Sequence, residues 1–202
     1  LHKEEGLSFK NVISFNLDEY YPMQPNSINS YVRFMKELLF DHVDILPENY
    51  NIPDGLLTKE QIADYCTDYE TKIENLGGID LQILGIGGNG HIGFNESGSL
   101  QNSKTRLVAL DHITRVAASK DFGGLNNTPR TAITLGVKKI MEAKQVILMA
   151  WGEGKAKIIN KSVEGEITNQ IPASFLQEHD NVVFVLDKEA SSKLTRINKP
   201  WL

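Results

Sequence analysis

Residues 79–91, IDLQILGIGGNGH, join an apolar strand directly to a glycine-rich loop. The first part is apolar enough for a strand buried inside an α/β sheet. The glycines that follow permit positive φ angles and let a ligand approach the backbone closely. Their spacing is not the G-x-G-x-x-G of a dinucleotide-binding turn, so a nucleotide cofactor is not indicated. The stretch predicts an α/β fold with a ligand site where this strand ends.

Apolar runs of strand length alternate with helical patterns along the rest of the chain. Strands are predicted at residues 11–17, 79–86, 105–110, 132–137, 146–151 and 182–186. Helices are predicted at residues 28–42 with Ser27 as N-cap, at 62–76, 113–120, 138–143, 155–163, 173–177 and 188–194. This alternation indicates a mostly parallel sheet covered on both faces, in a single domain over residues 1–202.

Composition excludes several classes of function. The 202 residues carry 21 Lys and Arg against 26 Asp and Glu, a net charge of -5, which disfavours nucleic-acid binding. No apolar run approaches the roughly 20 residues that a membrane helix needs, so we expect no membrane partner. Cys66 is the single cysteine, which suits a reducing compartment, and we expect a cytoplasmic protein.

Polar clusters follow three of the predicted strands, where ligands bind in open parallel sheets. The first is Asp18 with Glu19, and the third is the segment 152–155, which ends on Lys155 and opens a helix. The second cluster follows the glycine loop and consists of Asn89, His91, Asn95 and Glu96. We expect these clusters to lie near one another.

Each candidate has a functional and a structural interpretation. His91 and Glu96 are spaced so that the carboxylate can tune the imidazole near neutral pH, or the loop is a tight turn with a solvated histidine. Asp18 is a proton acceptor if burial raises its pKa, or it caps the next helix, which the intervening prolines disfavour. Lys155 binds an anion at a helix N-terminus, or it is a solvated lysine. The same structural interpretation applies to Lys120. His91 and Glu96 are too few ligands for a metal, so none is expected.

Several motifs together resemble the glucosamine-6-phosphate deaminase (isomerase) family over residues 7–194. They are FNLDEY at 15–20, GGNGHIGFNE at 87–96, TRVAAS at 114–119, AITLGV at 132–137 and IPAS at 171–174. The related 6-phosphogluconolactonases share the glycine loop and the histidine but not the Phe-Asn-Glu that follows them. The resemblance implies a Rossmann-like three-layer α/β sandwich with a mostly parallel sheet.

The resemblance also implies an activity without a cofactor: glucosamine 6-phosphate and water become fructose 6-phosphate and ammonia. Asp18 then matches the base that moves a proton between C2 and C1 of this phosphorylated amino sugar. His91 matches the group that opens the sugar ring, oriented by Glu96 and Asn89. The matching substrate-binding residues are Gly87, Gly88, Lys120 and Lys155, and a homo-oligomer is possible.

The chain departs from the family pattern at several positions. Asn89 stands where many members have Asp, and Lys120 stands where many have Arg, which loses the bidentate fork. In the family's allosteric site Ser99 and Arg106 match, but Val108 replaces a lysine. The N-terminal phosphate-binding strand and loop of the family have no counterpart, and the tail 197–202 has no stop signal, so we expect a fragment of a longer chain.

Two further expectations follow from these residues. The segment 114–129 is the best candidate for a mobile cover over the site. The alternative functions are a 6-phosphogluconolactonase-like hydrolase, which residues 94–96 disfavour, and a non-catalytic sugar-phosphate-binding module, which Asn89 and Lys120 favour.

Overall fold

A computed structural model describes residues 1–195, and the tail 197–202 noted above lies outside the described residues. The helices are α1 His2–Glu5, α2 Tyr31–Leu38, α3 Ile62–Asn75, α4 His112–Ala118, α5 Val137–Met141 and α6 Glu153–Glu164, with 3₁₀ helices at Phe40–His42, Pro47–Asn49 and Pro172–Glu178. The strands are β1 Ser14–Phe15, β2 Asp18–Tyr21, β3 Tyr50–Asn51, β4 Leu81–Leu84, β5 Arg106–Ala109, β6 Thr131–Thr134, β7 Gln145–Ala150 and β8 Val182–Leu186. Within this part of the chain, no helix is long and apolar enough to cross a membrane.

A parallel sheet of order β4-β7-β8 forms the centre of the fold. Alternate residues of β7 point to opposite faces, and Val146, Leu148 and Ala150 all face the core. They pack with Leu84 of β4 and with apolar side chains of α3, α5 and α6, including Ile159, which is fully buried. The fold class is therefore α/β with parallel strands at its centre, as the alternation of strands and helices predicts.

The opposite face of this sheet carries apolar side chains that remain open to solvent. Leu81 and Ile83 of β4 are 46% and 52% exposed, and Val183 and Val185 of β8 are 42% and 39% exposed. Within residues 1–195, the cover expected on both faces is therefore incomplete on this face. A continuous apolar run shows that a strand can be buried on both faces but not which elements cover each face.

A second sheet, of order β2-β6-β5, is antiparallel and was not expected from the sequence. The predicted strand 11–17 is split in the structure: β1 pairs with β3 in parallel, and the chain then changes partner, because the Leu17 carbonyl accepts a hydrogen bond from the Leu135 N–H at 2.6 Å. Asp18 and Glu19 therefore begin the antiparallel strand β2 and do not lie in a loop at the end of a parallel strand. Hydrophobic periodicity reports that a segment is extended, but it carries no information about which strand lies beside it.

Two helix predictions also need correction. The N-cap of α2 is Ser30 instead of Ser27, and the Ser30 hydroxyl accepts a hydrogen bond from the Arg33 N–H at 3.1 Å. Residues 188–194 form turns and not a helix. The hydroxyls of Ser191 and Ser192 donate to nearby backbone carbonyls there, and such local bonds compete with helix formation.

Candidate active site

The glycine loop after β4 forms a tight cradle for the His91 ring. The Gly87 N–H donates to the His91 carbonyl and the Gly90 N–H donates to the Gly87 carbonyl, both at 3.0 Å. Gly90 has a φ of 88° and no room for a Cβ beside Ile171, so glycine is required there. A Cβ on Gly87 would overlap the imidazole, whereas the space around Gly88 is open. The loop thus fixes the ring against Gly87 and leaves Gly88 accessible.

The predicted pairing of His91 with Glu96 is present. The imidazole Nδ1 lies 3.2 Å from Glu96 Oε2, and the same carboxylate oxygen accepts a hydrogen bond from Asn89 Nδ2 at 2.9 Å. The Asn89 side-chain oxygen accepts from the backbone N–H of His91 at 3.3 Å, and not from the ring as the sequence suggested. Asn89 therefore orients the histidine through Glu96 and the loop backbone, while Nδ1 faces the carboxylate and Nε2 is the nitrogen left for a ligand.

Glu96 is held as a buried anion. Its second oxygen accepts a hydrogen bond from the Asp111 N–H at 3.1 Å, at the residue that caps α4. Burial alone would raise the pKa of this carboxyl, but hydrogen bonds from His91, Asn89 and Thr114 outweigh it and lower the pKa to about 2. Glu96 is thus ionised across the physiological range and places a negative charge beside Nδ1 of the imidazole.

Thr114 is a site residue that the sequence analysis did not identify as one. Its hydroxyl lies 3.3 Å from His91 Nδ1, on the first turn of α4, and the side chain is buried. Its position could have been inferred from the sequence, because Thr114 lies in the first turn of the helix that follows β5 and is capped by Asp111. The segment 114–129, predicted as a mobile cover, contains hydrogen bonds that link its two ends. The Arg115 guanidinium donates to the backbone carbonyls of Leu125, Thr128 and Pro129.

Asp18 lies close to Gly93, two residues after the histidine. A Cβ added to Gly93 would lie 3.3 Å from Asp18 Oδ2, and Phe94 packs with its ring centroid 6.5 Å from that of His91. The Asp18 carboxylate accepts no hydrogen bond from the described residues. Desolvation by the surrounding protein, followed by the charge of Glu19, raises the pKa of Asp18 to about 7. Asp18 is therefore a carboxyl that exchanges a proton near neutrality.

Glu19, and not Asp18, caps the next helix, α2. Its carboxylate is buried and accepts hydrogen bonds from the backbone N–H groups of Tyr31 at 2.8 Å and Val32 at 3.3 Å, the first residues of α2. It also accepts from the Tyr20 N–H at 2.9 Å. Burial raises the pKa of Glu19 to about 7 against the lowering effect of these bonds.

The two predicted cations have different settings. Lys155 lies in the first turn of α6, and its Nζ donates to the Ile86 carbonyl at 2.6 Å, which places it beside the glycine loop. Burial lowers its pKa. Lys120 is exposed, and within the described part of the chain its side chain makes no hydrogen bond or ion pair with the other predicted site residues. The structure thus brings Lys155 to the site and does not show Lys120 there.

The donor set at this site is not that of a metal centre. Among residues 1–195, no group of three or more His, Cys, Asp or Glu side chains is arranged to hold a metal ion. What the arrangement offers is a carboxyl that titrates near neutrality, a histidine paired with a permanent anion, and a lysine beside an open glycine backbone. These are parts for moving protons and binding an anionic ligand.

The sequence profile of the glucosamine-6-phosphate isomerase/6-phosphogluconolactonase family matches residues 1–185. The chain belongs to this family. A glucosamine-6-phosphate deaminase of Clostridium novyi is 47% identical over 193 residues, which are 96% of this chain and 79% of that protein. A glucosamine-6-phosphate deaminase-like protein of Bacteroides thetaiotaomicron is 54% identical over all 202 residues, but the chain spans only 30% of its length.

Solved structures agree on the fold of this family member. A monomeric glucosamine-6-phosphate deaminase matches with a TM-score of 0.92 and 39% identity, over 96% of this chain and 79% of that one. The 6-phosphogluconolactonase of Trypanosoma cruzi matches with a TM-score of 0.75 at 23% identity, over 96% of this chain and 78% of that one, which is a likeness of fold alone. The predicted Rossmann-like three-layer α/β fold is confirmed.

We expect Gly87→Ala to displace the imidazole of this family member, because the new methyl group overlaps the ring. The loss of the contact between His91 and Glu96 should cost about 1–3 kcal/mol of unfolding free energy. NMR of the imidazole nitrogens reports the displacement, and urea unfolding reports the stability. Gly88→Ala is the matched control and should leave both unchanged within about 1 kcal/mol. Equal effects of the two substitutions would contradict the cradle.

We expect Asp18→Asn to stabilise the fold above neutral pH. An aspartate whose folded pKa is raised from 3.8 to about 7 loses stability as the pH rises through that window, because the folded chain then binds the extra proton. At about 1.4 kcal/mol per pH unit, the variant should gain a few kcal/mol at pH 8 and nothing at pH 4. Urea unfolding against pH measures this. The exposed Asp64→Asn serves as control, and a pH-independent difference for Asp18→Asn would refute the interpretation.

Proposed function

We propose that this domain converts glucosamine 6-phosphate and water into fructose 6-phosphate and ammonia. The single observation that carries the proposal is the division of the site into two proton-transfer groups with opposite electrostatics. Asp18 has no hydrogen bond from the described residues and a raised pKa, while His91 is paired with the permanently charged Glu96. Two such groups suit a reaction that moves one proton at carbon and another at oxygen.

The carbon-bound proton is assigned to Asp18. In the open-chain amino aldehyde, the Asp18 carboxylate takes the proton from C2 while the C1 oxygen gains a proton that the amino group gives up, which leaves an enol-type intermediate. The Asp18 carboxyl then returns its proton to C1. The product is the imine of a 2-ketose, and water adds at C2 to release ammonia. A carboxyl with a pKa of about 7 is a stronger base than an ordinary aspartate and is matched to this work at neutral pH.

Ring opening is assigned to His91. The hydroxyl at C1 loses its proton and the ring oxygen gains one as the bond between that oxygen and C1 breaks. Nε2 faces the ligand side because Nδ1 lies against Glu96 and Thr114. The fixed negative charge of Glu96 stabilises the imidazolium while it carries the proton, and Asn89 holds that carboxylate in place through its 2.9 Å hydrogen bond.

The phosphate of the substrate is assigned to the side of the site that holds Lys155 and Gly88. Lys155 lies at the N-terminus of α6, where the helix dipole favours an anion, and the backbone at Gly88 is open to approach. Lys120 enters this assignment only through the family pattern. The amino-sugar substrate itself is supported by the relatives at 39% and 47% identity, which are glucosamine-6-phosphate deaminases.

The proposal predicts ammonia release from glucosamine 6-phosphate that depends on both proton-transfer groups. Asp18→Asn and His91→Gln should each lower kcat/KM by about 100-fold or more, because each removes a positioned acid or base. A coupled ammonia assay measures the rate. Asp64→Asn and His42→Gln, on exposed surfaces, are the matched controls and should retain full activity.

Two results would contradict the proposal. One is ammonia release that survives Asp18→Asn unchanged. The other is hydrolysis of 6-phosphogluconolactone with no ammonia released from the amino sugar, which would point to the lactonase branch of the family.

A further inference from the structure

Asp18 and Glu19 are adjacent in sequence but lie in different surroundings. Successive residues of β2 point to opposite sides, so Asp18 faces Gly93 and Thr134 while Glu19 faces the start of α2. The two carboxyls are close enough that the charge of Glu19 disfavours ionisation of Asp18. Ionisation of Glu19 therefore makes Asp18 harder to ionise.

Hydrogen-bond donors are distributed very unequally between the two carboxyls. Glu19 accepts three backbone N–H groups, from Tyr20, Tyr31 and Val32, whereas the Asp18 carboxylate accepts none from the described residues. Donors stabilise the ionised form of a carboxyl, and the N-terminus of the eight-residue α2 adds the favourable end of its dipole. The first negative charge of the pair is therefore placed on Glu19.

The other groups that face the pair do not offset this charge. The phenols of Tyr20, Tyr31 and Tyr69 interact with Asp18, and burial raises the pKa of all three, so they stay neutral. Asp121, on the turn after α4, acts on the Tyr20 phenol. None of these groups supplies a positive charge that would favour ionisation of Asp18.

Glu19 also fixes a wall of the site. By holding the first turn of α2 it places the Tyr31 ring, which stacks on Tyr20 with centroids 5.5 Å apart. The Tyr20 ring in turn packs against Phe94 with centroids 5.2 Å apart, and the Phe94 ring lies 6.5 Å from that of His91. Loss of the Glu19 charge would therefore act on Asp18 directly, and loss of its hydrogen bonds would act through these aromatic contacts.

We propose that Glu19 is the positioning residue for Asp18: it holds the negative charge of the pair and so makes Asp18 its proton carrier. In catalytic terms this rests on the proposed function, in which Asp18 moves the proton between C2 and C1. The order of ionisation does not rest on it, because the order is a property of the folded chain without substrate. Glu19 itself touches no reacting atom in this account.

The test is a ¹³C NMR titration of the side-chain carboxyls in the full chain, with assignments from Asp18→Asn and Glu19→Gln. In the unaltered chain, Glu19 should ionise at lower pH than Asp18. In Glu19→Gln, which keeps the side-chain shape but removes the charge, the midpoint of Asp18 should fall by about one pH unit or more, a roughly ten-fold loss of proton affinity. Glu19→Asp keeps the charge and should keep the Asp18 midpoint high even if α2 is less stable.

Ionisation of Asp18 before Glu19, or an unchanged Asp18 midpoint in Glu19→Gln, would overturn the proposal. The order of ionisation is read in the unaltered chain, so it needs no variants beyond those used for assignment. A purely structural role for Glu19 would lower the stability of Glu19→Gln without moving the Asp18 midpoint. With substrate, the acidic limb of the pH profile of kcat/KM should move down by the same amount. If the carboxyls behave as expected and no ammonia is released, the proposed function fails and the pairing stands.

Discussion

The ionised carboxylate of Glu96 is the interaction on which the site depends. It binds Asn89 of the glycine loop, faces the His91 ring, and accepts the Asp111 N–H at the start of α4. The Glu96 side chain thus connects the glycine loop, which follows the parallel strand β4, to α4, which follows the antiparallel strand β5. A buried charge survives only when hydrogen bonds compensate its desolvation, so these contacts stabilise one another or fail together.

The site combines three carboxylates with three different settings. Glu96 has many donors and a pKa of about 2, so it stays charged. Asp18 has no donor among the described residues and a pKa of about 7, so it exchanges a proton near neutral pH. Glu19 caps α2 and lies next to Asp18. Under the proposed function, proton transfer at carbon and at oxygen proceeds at one pH because the protein gives each carboxyl its own environment.

The sequence predicted much of this arrangement because its strongest signals are local. The glycine loop, the spacing of His91 and Glu96, and the strand at residues 182–186 follow from short-range patterns and agree with the structure. The antiparallel sheet could not be predicted, since the change of partner near Leu17 depends on a strand more than a hundred residues away. The capping role of Glu19 and the position of Thr114 also depend on contacts between residues that are distant in sequence, so short-range patterns did not predict them. At residues 188–194 the pattern predicted a helix, but the Ser191 and Ser192 hydroxyls donate to nearby backbone carbonyls and the segment forms turns.

The division of labour between Asp18 and His91 is the central claim, and a substrate that needs no ring opening tests it most directly. An analogue of glucosamine 6-phosphate without the hydroxyls at C4 and C5 stays an open-chain amino aldehyde. Ammonia release from the analogue and from the sugar would be compared for the unaltered chain, His91→Gln and Asp18→Asn. The account predicts that His91→Gln is impaired about 100-fold or more only on the sugar, while Asp18→Asn is impaired on both. An equal loss on both substrates for His91→Gln would contradict it.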